Sequence, residues 1–362
     1  MLTGRRDAVL PVSAANTREK HFLTTILRVG EEIDDDVALV VATSGTTGAP
    51  KGAMLTAGAL IASASATHAR LGGPGRWLLA LPAHHIAGLQ VLIRSVLAGT
   101  APVALDVSDG FDVSALPVAV RRMGPGRRYA SLVAAQIAKA LRDPAAADAL
   151  AELDAVLIGG GPMPAGIANA AAAAGISVVR TYGMSETAGG CVYDGVPLDG
   201  VLVRVDGTRV LLGGPTLAKG YRDPVSPDPF DERGWFRTDD AGSIDARGVL
   251  TIYGRLDEAI STGGLTVQPH VVEAAIITHP AVAQCAVFGL PDGRLGERVA
   301  VAVVAAGPVT LAELRAYVVE KLDSTAAPRE LHIVDELPLR GIGKVDRRAL
   351  IERFRASPRK SD

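Results

Sequence analysis

Five consecutive apolar residues, Val37 to Val41, run almost directly into Thr43-Ser44-Gly45-Thr46-Thr47-Gly48-Ala49-Pro50-Lys51-Gly52. This junction constrains the chain more than any other stretch, because it predicts a buried strand that ends in a loop able to grip an anion. Glycines let the backbone turn and approach a ligand closely, while the hydroxyls and Lys51 supply donors. Such a loop suits the phosphates of a nucleotide. It is not a Walker loop, which needs Gly-Lys directly before Ser or Thr, whereas Lys51 stands between Pro50 and Gly52. A plain flexible connection is the alternative, but turn chemistry alone seldom produces so ordered a mixture.

The rest of the first half alternates strand-like and helical runs. Val37 to Ala42 precedes a helical pattern after Thr56, and Trp77 to Leu81 precedes one within Gly88 to Leu97. Ala155 to Ile158, the turn Gly159-Gly160-Gly161-Pro162, an alanine-rich helix and Ile176 to Arg180 make another strand–helix–strand unit. The alternation implies a parallel or mixed sheet covered by helices, with ligands at the strand ends. From about Val201 the texture becomes β-rich, opening with a hairpin turn at Asp206-Gly207. The last hundred or so residues read as a small α+β domain. The expected organisation is an α/β N-terminal domain with mixed sheets, helices and a β-rich end over 1–254, a hinge at 255–257, and a small α+β C-terminal domain over 258–362.

Composition narrows the function. A chain of 362 residues with 48% hydrophobic content suggests about two domains with substantial cores. Thirty-seven Lys and Arg balance 39 Asp and Glu, which argues against nucleic-acid binding by bulk charge. Apolar runs are too short and interrupted for a membrane span, and the N-terminus has no apolar signal-peptide segment. Cys191 and Cys285 stand far apart without metal-ligand spacing, so a reduced, cytoplasmic setting fits. Oligomeric state is not legible, and a homodimer is left open.

Further segments carry chemistry. In Tyr182-Gly183-Met184-Ser185-Glu186-Thr187 an aromatic ring can stack on a base, Ser185 can meet a phosphate oxygen and Glu186 can hold Mg2+. Taken alone, the same residues could be an ordinary polar strand end. Gly234-Trp235-Phe236-Arg237-Thr238-Asp239-Asp240 offers a carboxylate for ribose hydroxyls, or simple turn chemistry. Gly254-Arg255-Leu256-Asp257, with Gly263-Gly264 beyond, supplies a cation, a carboxylate and a second flexible turn; Gly343-Lys344 places a lysine on a glycine-flanked loop. In this order the five segments resemble the adenylate-forming superfamily of acyl-CoA ligases, luciferase and peptide-synthetase adenylation domains.

The resemblance implies the fold of that superfamily and a role for each position. Thr43, Ser44, Gly45, Thr46, Thr47, Gly48 and Lys51 would bind the β- and γ-phosphates, and Gly159, Gly160, Gly161 and Tyr182 would hold adenine. Ser185 would contact the α-phosphate, Glu186 would bind magnesium, Asp239 would hold the ribose hydroxyls, and Arg255 would meet the ribose or phosphate side. Asp257 would be the hinge, Gly263 and Gly264 would face CoA, and Lys344 would be catalytic, reaching the acid carboxylate and the α-phosphate. The chain departs from the pattern twice: only 42 residues precede the phosphate loop, implying a shortened N-terminus, and Leu265 stands where a glutamate often follows the glycines.

The acid is suggested by Leu81-Pro82-Ala83-His84-His85-Ile86-Ala87-Gly88-Leu89, followed by Arg94 inside an apolar run. A cation there has no partner in a fatty or simple aromatic acid, but a dicarboxylic acid would supply one. A helix-surface arginine with a snorkelling stem is the alternative. This pattern and Gly189-Gly190-Cys191-Val192-Tyr193-Asp194-Gly195 resemble the o-succinylbenzoate–CoA ligases of menaquinone biosynthesis. His85, Gly88, Arg94 and Gly183 would then be acid-binding residues, Mg2+ the cofactor, and ATP and CoA the cosubstrates. A ligase for another aromatic or dicarboxylic acid, or a non-catalytic nucleotide-binding relative, would share most of these features.

Overall fold

The structure, a computed structural model, describes residues 7–43, 50–340 and 344–355, with the side chains of Arg340 and Lys344 outside that description. The chain forms two compact units. One holds the residues up to Asp206 with Val210–Thr238 and Ile244–Leu250; the other holds Gly207–Arg209, Asp239–Ser243 and the residues from Thr251 onward.

The first unit opens with α1 (Thr17–Ile26), β1 (Val37–Val41), β2 (Ala53–Thr56) and α2 (Ala57–Arg70). All five residues of β1 are buried, as their apolar run requires. β1 and β2 pair antiparallel, Leu39 opposite Leu55 and Val41 opposite Ala53, so the phosphate-loop motif connects the arms of a hairpin. Thr56 then caps α2 by accepting from the Ala59 amide at 3.0 Å. Leu39, Val41, Leu55, Leu60, Leu89 and Ile93 share one core.

The following elements are β3 (Arg76–Leu79), α3 (Ile86–Leu97), β4 (Val103–Ala104), α4 (Leu116–Arg122), β5 (Arg128–Val133), α5 (Ala134–Ala140) and α6 (Pro144–Ala151). Then come β6 (Ala155–Gly159), α7 (Ala165–Ala173), β7 (Val178–Met184), β8 (Gly189–Tyr193) and β9 (Val196–Pro197). They build a seven-stranded sheet in the order β4-β3-β5-β6-β7-β8-β9. The first five strands are parallel, and β8 and β9 are added antiparallel. This is the mixed, helix-covered sheet expected from the alternation. Leu78, Ala130, Leu132, Val156 and Ile158 pack against Leu116, Val120, Ile137 and Leu150 of the helices.

One boundary differs from the sequence reading. The strand expected over Ile176 to Arg180 runs from Val178 to Met184, so Tyr182 and Gly183 lie within it. Ile176 instead closes the end of α7, donating its amide to the Ala171 carbonyl at 3.0 Å. The chain continues through the hairpin β10 (Leu202–Asp206) and β11 (Arg209–Gly213) to β12 (Trp235–Ile244) and β13 (Leu250–Arg255).

The second unit contains β14 (Ile260–Thr262), β15 (Leu265–Val267), α8 (Pro269–Ile276), β16 (Val282–Asp292) and β17 (Gly296–Ala305). It continues with α9 (Leu311–Lys321), β18 (Glu330–Ile333), β19 (Leu339–Arg340), β20 (Lys344–Val345) and α10 (Arg347–Phe354). Alternation along β16 and β17 sorts the side chains by face. Val287, Val299, Val301 and Val303 pack with Val272 and Ile276 of α8 and Leu314 and Val318 of α9. Phe288, Ala300 and Ala302 face Leu350 and Phe354 of α10. No helix among the described residues is long and apolar enough to cross a membrane.

Candidate active site

The described part of the phosphate-loop motif begins and ends on the β1–β2 hairpin. Thr43 is half-buried after β1, while Ser44, Gly45, Thr46, Thr47 and Gly48 lie outside the described residues. Gly52 has φ +69°, and a Cβ there would stand 2.8 Å from Leu27 and 2.9 Å from Val40, so the return into β2 tolerates only glycine.

Residues 219–223 run along β2. Met54 donates its amide to Gly220 at 3.0 Å, Lys219 to Met54 at 2.9 Å and Arg222 to Gly52 at 2.8 Å. The flanking side chains bind this segment to the N-terminal region. Lys219 Nζ meets Asp34 at 2.7 Å and Asp36 at 2.8 Å, and Arg222 donates to the carbonyls of Glu32 at 2.6 Å, Arg28 and Glu31 at 3.2 Å and Leu27 at 3.4 Å.

Tyr221 is thereby fixed between two motif residues. Its hydroxyl donates to Glu186 Oε1 at 2.7 Å, and the Lys51 ammonium lies 5.2 Å from its ring centroid. Glu186 is buried in the 3₁₀ turn Ser185–Thr187 that follows β7. The turn is held by Thr187, whose hydroxyl accepts from the Met184 amide at 2.9 Å and reaches the Gly189 carbonyl at 2.7 Å. A cation, an aromatic ring and a carboxylate from three distant segments thus meet beside the phosphate-loop motif. Ser185 is half-buried in the same turn. A single oxygen-ligating carboxylate fits magnesium, which keeps water and phosphate ligands rather than an all-protein cage. No group of three or more His, Cys, Asp or Glu able to hold a metal occurs among the described residues.

Gly159 ends β6, where a Cβ would stand 2.5 Å from Thr181 Oγ1, and Gly160 has φ +81°. Gly161 faces open space, and Tyr182 is half-buried on β7, opposite Val192. A Cβ at Gly183 would lie 2.1 Å from the Gly189 carbonyl oxygen, which makes glycine the residue that lets β7 and β8 approach.

His85 is the N-cap position of α3, and burial, reinforced by the charge of His84, pushes its pKa down to about 4. The two imidazole centroids are 4.4 Å apart. A Cβ at Gly88 would lie 2.4 Å from the Pro82 carbonyl oxygen, so glycine seats the start of α3 on the preceding turn. Arg94 is only 3% exposed, which sets aside the helix-surface reading. Its guanidinium lies 4.9 Å from the Trp77 ring centroid, and Nη2 donates to the Tyr193 hydroxyl at 3.3 Å. Arg94 and Tyr193 belong to the two segments that carried the substrate resemblance, and they meet across 99 residues of sequence. Arg94 Nε has no hydrogen-bond partner, and no carboxylate pairs with this cation among the described residues.

Within the second unit, Arg255 ends β13 beside a group of carboxylates. It meets Asp257 through two bonds of 2.7 and 2.8 Å, Asp239 at 3.4 Å and Asp240 at 3.9 Å. Arg209 also reaches Asp239 at 3.2 Å. Burial acts to lower the Arg255 pKa, but the carboxylates, Asp257 foremost, outweigh it and hold the group cationic. Gly263 and Gly264, at φ +60° and +80°, form the turn between β14 and β15. Lys344 opens β20, paired in register with Arg340, and its side chain lies outside the described atoms.

Sequence reasoning missed Tyr221, Trp77 and Tyr193 as partners of the motif residues. The Gly220-Tyr221 pair beside two cations was the available signal at the first of these positions.

A family model described as AMP-binding enzyme matches residues 7–221, and one described as AMP-binding enzyme C-terminal domain matches residues 271–344. The chain belongs to the AMP-binding enzyme family. Among relatives, a protein of Mycobacterium tuberculosis (strain H37Rv) described as a probable 2-succinylbenzoate–CoA ligase is 69% identical over 95% of this chain and 91% of its own length. The 2-succinylbenzoate–CoA ligase of Bacillus licheniformis is 32% identical over 87% of this chain and 70% of its own. Among solved AMP-binding enzymes, the o-succinylbenzoate CoA synthetase of Bacillus subtilis in complex with the acyl-adenylate intermediate is 29% identical. It aligns with TM-score 0.79 over 90% of this chain and 70% of that one. A second structure of the Bacillus subtilis enzyme, with ATP and magnesium ion, gives TM-score 0.78 at 29% identity over 89% and 72% of the two chains.

Proposed function

We propose that the protein is an AMP-forming acid–thiol ligase of menaquinone biosynthesis that converts o-succinylbenzoate, ATP and CoA to o-succinylbenzoyl-CoA, AMP and pyrophosphate. The observation that carries the chemistry is the meeting of Lys51, Tyr221 and Glu186 beside the phosphate-loop motif. The choice of acid is supported by the 69% identical relative and by a buried Arg94 that lacks a carboxylate partner among the described residues.

A carboxylate is a poor electrophile, so direct thiol attack would have to expel oxide. Activation removes that difficulty in two steps. A carboxylate oxygen of the acid attacks the α-phosphorus of ATP, the bond to the bridging oxygen breaks, and pyrophosphate leaves. The sulfur of CoA then attacks the carbonyl carbon of the mixed anhydride, AMP leaves, and the thiol proton passes to solvent or buffer.

Charge accumulates on phosphoryl oxygens in the first step, where preorganised donors act most strongly. The hydroxyls of Thr43 to Thr47 and the Lys51 ammonium would hold the departing phosphates, Ser185 the α-phosphate, and Asp239 the ribose. Gly159 to Gly161 and Tyr182 would bound the adenine. Glu186, oriented by Tyr221, would hold Mg2+, which when bound neutralises charge on the phosphates. Lys344 would stabilise the adenylation transition state, with Asp257 as the hinge of the small domain and Gly263-Gly264 on the CoA side. Arg94 would bind the second carboxylate of the acid, near His85, Gly88 and Gly183. ATP and CoA are water-soluble, and we place the reaction in the cytoplasm; a homodimer is a question for sedimentation analysis.

Acid labelled with 18O at its carboxyl group tests the reading. With ATP and CoA, one label should appear in AMP, and o-succinylbenzoate should outperform benzoate and medium-chain acids. ADP and orthophosphate as products would overturn the mechanism, and preference for another acid in the panel would overturn the substrate.

A further inference from the structure

We propose that Arg347 is a positioning residue that ties β20, which Lys344 opens, to the chain just beyond Asp257, with Glu258 as the contact that does so. The inference rests on the reading of Lys344 as the adenylation lysine.

Arg347 is the first residue of α10, three positions after Lys344. Between them the chain is closed tightly. β20 pairs with β19, the Asp346 amide donates to the Pro338 carbonyl at 2.8 Å, and Asp346 Oδ1 caps α10 by accepting from the Ala349 amide at 3.1 Å. A displacement of Arg347 is therefore passed to the backbone of Lys344.

Each of the three guanidinium nitrogens is engaged. Nε donates to the Val287 carbonyl in β16 at 3.0 Å, and Nη2 donates to both oxygens of Glu273 in α8 at 2.7 and 2.9 Å. Glu273 Oε1 also accepts from the Val287 amide at 2.7 Å, closing a ring of bonds among α8, β16 and α10. Nη1 is the remaining arm, and it reaches Glu258 Oε2 at 2.9 Å. A planar, forked cation can hold two carboxylates and a carbonyl in fixed directions, which lysine cannot.

The Glu258 arm is separable from the needs of the fold. α10 is already attached to β16 by Leu350 and Phe354 against Phe288, and by the Glu273 ring. Glu258 instead follows Asp257, which Arg255 grips through two bonds beside Asp239. Two arginines thus link the segments: Asp239 to Arg255 to Asp257, one peptide bond to Glu258, then Arg347 and β20. Rotation at Asp257 would carry Glu258 with the small domain, and Arg347 would pass that movement to Lys344 without slack.

The test separates pyrophosphate exchange from thioester formation with supplied acyl-adenylate, in Glu258→Ala, Lys344→Ala and the double variant, with Arg347→Lys as a second probe. Glu258→Ala is expected to slow pyrophosphate exchange about tenfold, within the range of coupling between contacting residues. Thioester formation, which also reports intact folding, should change less than about twofold on the same scale. In the Lys344→Ala background, Glu258→Ala should cost nothing further, because both act through one side chain. Arg347→Lys should behave as Glu258→Ala does. Multiplying effects, equal loss in both half-reactions, or no loss with Glu258→Ala would overturn the inference alone. Unimpaired exchange in Lys344→Ala would overturn the reading beneath it as well.

Discussion

At the scale of single residues, Tyr221 is the sharpest test of the phosphate end of the site. Its hydroxyl orients Glu186 while its ring lies under Lys51. Tyr221→Phe keeps the ring and deletes only the hydrogen bond, so a single carboxylate loses one orienting partner. A hydrogen bond to a charged group contributes about 1.5–3 kcal/mol, so the Mg2+ concentration for half-maximal adenylation should rise about tenfold or more. Binding of Mn2+ to the ATP complex, followed by paramagnetic resonance, should weaken in parallel; unchanged affinity would remove the orienting role. Arg94 makes a second case. Arg94→Met keeps a long apolar body over Trp77 and removes the charge, so affinity should fall more for o-succinylbenzoate than for benzoate, as the KM ratio will report. Both motif residues were legible in the sequence, Glu186 from its place after Ser185 and Arg94 as a cation inside an apolar run. Tyr221 was less so: the glycine and cations beside it mark the segment, but its partner lies 35 residues away and nothing local names it.

Among the elements, those with a clean period were readable and those defined by close approach were not. α9 and the β16–β17 pair follow their hydrophobic patterns, whereas β7 ends in Thr181-Tyr182-Gly183-Met184, which has no alternation to mark it as strand. It forms because Gly183 lets β8 come near. The β1–β2 hairpin was hidden for a related reason: its arms are joined by a loop whose composition advertises ligand binding rather than pairing. Gly88 shows the same logic in α3. A methyl there would meet the Pro82 carbonyl at 2.4 Å, so Gly88→Ala must lift the first turn of the helix, which bears His85 at its cap. Overpacking of this kind costs about 1–3 kcal/mol. A lowered urea midpoint, together with loss of acid affinity, is the expected result; a variant as stable as the parent would mean that the turn relaxes freely.

For the molecule as a whole, four histidines give stability a common pH dependence. In the first unit, burial followed by a neighbouring positive charge lowers the pKa of His85 to about 4 and that of His68 below its ordinary 6.5. In the second, burial lowers His270 and His332, and the Arg347 charge acts on His270 in the same direction. Glu330 pulls His332 the opposite way but does not prevail. Above pH 6.5, folded and unfolded chains both carry these imidazoles mostly neutral, so their contribution is fully present. As the pH falls below 6.5 the unfolded chain takes up protons that the folded chain refuses, and stability declines until the folded groups titrate, near pH 4 for His85. The lowered carboxylates, among them Asp34 held by Lys219 and Glu313 held by Thr310, contribute stability that is lost only as the pH falls through their ordinary 3.8 and 4.5, which leaves the span from pH 7 to pH 5 to the histidines. The urea midpoint should therefore fall steadily from pH 7 to pH 5, and His85→Asn should flatten that slope by removing the most shifted group. Because the chain comprises two compact units, the measurement needs a probe for each: Trp77 fluorescence serves the first, and amide exchange along β16 and β17 the second. A midpoint that stays level between pH 7 and pH 5 in both units would mean that these imidazoles are protonated as readily in the folded chain as in the unfolded one.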